Sequence, residues 1–137
     1  MILHCSYEEL TALDAAVERV LDAIDTGGVA APPEVQPDLE RLGPLLTGDI
    51  SIETFDEQQS IQRAVEFLLA DARERTDSFI LDEYASAESA IRSYFEYAHL
   101  LTVLDRVRQI GHEMRSIIEV MTGKPPDETA GRIPFED

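Results

Sequence analysis

The only residues whose types and spacing have a chemical precedent are Glu96 and His99, in the run Glu96-Tyr97-Ala98-His99. A Glu-x-x-His pair on a helix sets a carboxylate and an imidazole one turn apart on the same face. Carboxylate-bridged di-iron bundles are built from two such pairs and one further Glu from each of two other helices. This chain has one pair, so a metal centre requires a symmetric dimer, with Glu66 or Glu74 as the bridging carboxylate. Two arginines oppose it: Arg92 and Arg106 lie one or two turns away, and a guanidinium disfavours a metal cation. Glu96 is expected to pair with Arg92 at i,i+4, leaving His99 at the edge of an apolar face. The expectation is therefore no metal, no cofactor and no catalytic residue, with the carboxylate–histidine metal protein as the alternative.

The remaining reactive residues do not converge. His112 and Glu113 are about 100° apart on a helical wheel. His4 and Cys5 are neighbours in a short extended segment and face opposite ways. No paired cysteines suggest zinc, and no glycine-rich phosphate loop or nucleophile–base pair is present. An enzyme is not indicated.

The elements that hold Glu96 and His99 read more clearly. Residues 86–122 form the longest stretch without proline and predict one helix, with Ser86 as N-cap and Gly123, Pro125 and Pro126 as the stop. Leu100, Val103, Val107, Ile110, Met114, Ile117 and Met121 repeat at alternating threes and fours. Around Leu100–Val107 the apolar arc is roughly 160°, broader than one packing partner requires. A second helix is predicted over residues 55–83, capped by Thr54, and its proximity in sequence makes the two an antiparallel hairpin. At 1.5 Å per residue they are about 43 and 54 Å long. A first helix over 6–26 opens on Ser6-Tyr7-Glu8-Glu9, a capping box, and ends at Gly27-Gly28.

Residues 27–53 hold Pro32, Pro33, Pro37, Gly43-Pro44 and Gly48 and read as a crossing loop, with a helical turn at 37–42. Residues 1–5 and 49–53 are the two extended leads, placed to pair as a minimal two-stranded patch. At an offset of 48 (50 minus 2), Ile2 matches Ile50, Ser6 matches Thr54, and Ala16-Val17-Glu18 matches Ala64-Val65-Glu66. The expected fold is thus mostly α: a long antiparallel helical hairpin and a third packed helix in one domain over 1–122. Residues 123–137 are an extended or disordered tail.

The charge of −17, from 28 acids and 11 bases, excludes the basic footprint that nucleic acid and anionic membranes require. Residues 1–60 alone hold 13 acids against Arg19 and Arg41. One cysteine and no basic, apolar leader point to the cytoplasm. Asp14, Glu18, Asp22 and Asp25 make an acidic edge on the first helix, either a solvated face or a dock for a basic partner. The function these features favour is a non-catalytic protein–protein interaction or assembly module. It is expected to act as a homodimer with a four-helix-bundle core, because Leu101, Leu104 and Ile118 would otherwise form an exposed apolar strip.

Overall fold

The computed structural model describes residues 1–123, so the tail expected over 123–137 lies outside the described residues apart from Gly123. Strand β1 (Ile2–Leu3) leads into helix α1 (Tyr7–Asp25). Helix α2 (Val35–Leu42) and a single 3-10 turn at Gly43–Leu45 then cross to strand β2 (Ile50–Ser51). Helices α3 (Phe55–Leu81) and α4 (Ala87–Thr122) form the long antiparallel hairpin.

The predicted caps are in place. Ser6 Oγ accepts from the Glu9 N–H at 3.1 Å, and the Glu9 carboxylate accepts from the Ser6 N–H at 2.8 Å. Thr54 accepts from the Glu57 N–H, but the Glu57 carboxylate reaches back to the Glu53 N–H instead of closing the box. Gly123 ends α4 at φ 72°, a left-handed turn that glycine adopts without steric cost.

The crossing segment is more ordered than its prolines suggest. Pro37 sits within the first turn of α2, where its missing N–H costs nothing. The helix is held by Asp38, whose side chain is fully buried. Asp38 accepts from Arg41 at 2.6 Å, Ser60 at 2.7 Å, and Arg63 through Nε at 2.9 Å and Nη2 at 3.2 Å. Burial works to raise the Asp38 pKa, yet the bonds from Arg63, Ser60 and Arg41 outweigh it and lower the value. A buried carboxylate without such donors would cost several kcal/mol, roughly, so α2 docks on α3 through this cluster.

β1 and β2 pair antiparallel, Ile2 with Ser51 and Leu3 with Ile50. The register is symmetric under the offset of 48, since each residue faces the counterpart of its neighbour. The correspondence continues into the helices: Leu13 and Ile61, Ala16 and Ala64, Val17 and Val65, and Val20 and Leu68 are all buried. The core lies where α1, α2 and the two strands meet the hairpin. Leu100, Val103, Leu104 and Val107 of α4 are fully enclosed there.

That enclosure corrects one expectation. Leu104 belongs to the core of a single chain and is not part of an exposed strip. Leu101 is 37% exposed, and Ile118 packs half-buried against the core. α3, α1 and β1 pack on α4, while α2 packs on α1 and α3, so a single chain encloses these positions.

Candidate functional site

A cleft of about 540 Å³ opens between α1, the C-terminal end of α3 and the N-terminal third of α4. α1 supplies Tyr7, Glu8, Thr11, Ala12, Ala15 and Arg19, one stripe of its surface. α3 supplies Arg75 and Phe79, one turn apart, and α4 supplies Ser89, Arg92, Ser93, Glu96 and His99. The volume exists because the facing positions are small: Ala12 and Ala15 on one wall, Ser89 and Ser93 on the other. Near its floor Thr76 Oγ1 donates to the Ala72 carbonyl at 2.8 Å. That bond uses the Thr76 proton, so the 2.8 Å contact with Ser93 has Ser93 as donor.

Glu96 and His99 do share this cleft, as their spacing predicts, but Glu96 is engaged differently. Its carboxylate accepts from Arg19 Nη1 at 2.8 Å, while Arg19 Nη2 reaches Asp71 at 3.4 Å. One guanidinium thereby joins α1, α3 and α4. The expected Glu96–Arg92 pair is absent, because Arg92 bonds Glu88 at 2.7 Å on the solvent side. Arg106 also turns away from His99. It donates to Glu9 at 2.6 Å and to the His4 carbonyl at 3.0 Å, tying α4 to the N-terminus of α1.

For metal binding this arrangement is costly. A cation at Glu96 must displace Arg19, and Glu66 and Glu74 line another groove, with Tyr97, Leu104 and Arg108. Among the described residues no three His, Cys, Asp or Glu side chains come together as they would around a metal ion. His4 bonds Asp49 at 3.1 Å on the surface. Cys5 is half-buried, and its thiol is pushed up to about 11 by burial and the Glu9 charge, so it is a poor nucleophile. His112, Glu113 and the acidic edge Asp14, Glu18, Asp22 and Asp25 are exposed.

Arg75 is the cleft's least satisfied charge. It is half-buried, with the Phe79 ring 5.8 Å from its guanidinium carbon, and among the described residues no carboxylate or other acceptor bonds it. Burial first and the neighbouring Arg19 charge second lower its pKa, against a smaller pull from Glu96 and Asp71. Helical spacing does not single out Arg19, Asp71, Arg75 or Phe79 as site residues. A signal for Arg19 existed: it is the sole base in an α1 that carries six acids. Asp71, Arg75 and Phe79 carried no comparable mark.

Comparison with family models, with curated proteins and with solved structures gives no match. No described helix is long and apolar enough to cross a membrane.

Proposed function

We propose that this chain is a non-catalytic interaction module that self-associates as a homodimer through the outer face of its α3–α4 hairpin. One observation carries the reading: a cluster of large apolar side chains is left uncovered near the hairpin turn. Leu81 is 84% exposed, Tyr84 90%, Ile91 56% and Phe95 57%, with Ile80 and Tyr94 beside them in sequence and similarly uncovered. With Ile91 as zero at 100° per residue, Tyr94 and Phe95 fall within about 60° of it, whereas Val103 and Val107 fall about 120–160° away. The cluster thus lies on the side of α4 opposite the core. The Tyr94 and Phe95 rings meet edge-on, centroids 6.1 Å apart, which presents a semi-rigid aromatic surface. Soluble monomers seldom expose so many large apolar side chains close together in the chain.

A two-fold axis beside the turn would bring the same patch of two copies together, the commonest form of homomeric contact. Two hairpins so joined supply the four helices of a bundle. The reading also favours the cytoplasm, supported by the lone Cys5.

Light scattering coupled to size exclusion tests it. The parent protein at micromolar concentration should run at twice 15.3 kDa. Leu81→Glu with Phe95→Glu should run at the monomer mass with unchanged far-ultraviolet circular dichroism. A monomeric parent, or a double variant that remains dimeric, overturns the proposed interface.

A further inference from the structure

We propose that the α1–α3–α4 cleft binds a small organic carboxylate with an apolar body, its head group taken by the Arg75 guanidinium and its body lying along Phe79, Ala12 and Ala15. The proposal is independent of dimerisation and assigns a second activity to the chain.

Arg75 carries the argument. A guanidinium offers five N–H donors in a planar fork that fits a carboxylate with two parallel bonds. Every other arginine lining this cleft already has a carboxylate: Arg19 has Glu96 and Asp71, and Arg92 has Glu88. Arg75 has the face of Phe79 and, among the described residues, no hydrogen-bonded carboxylate. In a chain with 28 acids, a half-buried arginine without one is a specific departure. Burial and the neighbouring Arg19 charge work against its charge and outweigh the pull of Glu96 and Asp71, neither of which hydrogen-bonds it. An incoming carboxylate would offset these costs by supplying the acceptor that Arg75 lacks.

The rest of the cleft selects among anions. Its volume of about 540 Å³ suits a small molecule. The lining is chiefly apolar, so an ion without a hydrocarbon body would forfeit most of the available contact. Glu8 and Glu96 also line the cleft. With Glu96 held by Arg19 and Arg92 by Glu88, Arg75 is the arginine of this lining left to bond a ligand, and the Glu8 and Glu96 carboxylates favour a monoanion over a dianion such as phosphate.

The test uses the full chain with octanoate as probe, compared with octanamide and inorganic phosphate by isothermal titration calorimetry. Octanoate should saturate a single site per chain, with octanamide and phosphate much weaker. Arg75→Gln should weaken octanoate at least about tenfold, the equivalent of one charge-assisted hydrogen-bonded pair. Arg73→Gln makes the same charge change on an exposed neighbouring position and should leave the affinity unchanged. Ala15→Leu fills the cleft without touching a charge and should block octanoate, a readout that stands should Arg75→Gln not fold. Absence of saturable octanoate binding overturns the proposal, as does equal binding of octanamide or phosphate. Equal losses in Arg73→Gln and Arg75→Gln, or full affinity in Ala15→Leu, overturn it as well.

Discussion

Glu9 shows how one side chain serves two structures at once in this protein. It closes the α1 capping box, and it accepts from Arg106 at 2.6 Å and from Thr102 at 2.8 Å across the fold. Burial works to raise its pKa, but the bonds from Arg106, the Ser6 N–H and Thr102 prevail and hold the value at about 2, against an ordinary 4.5. A carboxyl whose pKa is lower folded than unfolded favours folding only while it is ionised. Its contribution is therefore complete above pH 4.5 and is lost as pH falls from there to about 2. Glu9→Gln should cost about 1–2 kcal/mol at neutral pH, discounted because Arg106 is nearly half exposed, and should flatten the loss of stability across that acid window. Urea melts of parent and variant over the same pH series measure both effects. Gly111 is the second such position. A Cβ built there would fall on the Gln58 carboxamide, 2.7 Å from its Cδ. Gln58 is fully buried and donates to the Val107 carbonyl at 2.9 Å, so it has nowhere to go. Gly111→Ala should destabilise by about 1–3 kcal/mol in spite of alanine's better helix propensity. Adding Gln58→Ala should recover part of the loss, which a double-mutant cycle would register as coupling.

At the scale of elements, the helix starts were fixed locally and the helix faces were not. Ser6→Ala and Thr54→Ala each remove an acceptor from an otherwise unpaired N–H and should cost about 0.5–2 kcal/mol in thermal or chemical melts. The correspondence at offset 48 extends through cap, strand register and buried face, so β1–α1 and β2–α3 are two copies of one local arrangement, facing each other across the two-stranded patch. On α4 the neighbours Leu101 and Leu104 now separate cleanly. Leu104→Ala opens a cavity in an enclosed position and should cost about 2–5 kcal/mol, whereas Leu101→Ala should cost well under half of that. Comparable losses for the two would mean that Leu101 is covered by another molecule.

At the scale of the whole molecule, charge and apolar surface act in opposition. In the proposed dimer, two copies at −17 each would repel, while the patch around Leu81, Tyr84 and Phe95 would draw them together. Repulsion between exposed charges is screened by salt, the Debye length falling from about 10 Å at 0.1 M to about 3 Å at 1 M. Apolar burial is not weakened in this way. Sedimentation equilibrium should accordingly show the dimer Kd decreasing as sodium chloride rises through that range. A Kd that increases instead would indicate attraction between charges and count against the apolar patch.

Whatever depends on short stretches of chain was legible in the residues themselves. Ser6, Thr54 and Ser86 mark helix starts, and Gly27 and Gly123 mark stops, because capping and left-handed turns are settled within a few residues. Periodicity placed α1, α3 and α4 and made the last two a hairpin. Tertiary structure decided which charge met which. Glu96 had a local candidate in Arg92, but Arg19, 77 residues away in sequence, takes it. Asp38 gathers Arg63 and Ser60 from another helix in the same way. Helical spacing ranks only neighbours on one element. The geometry between elements, which leaves Leu104 covered and Arg75 without a carboxylate, follows from how α1, α2 and the strands close over the hairpin.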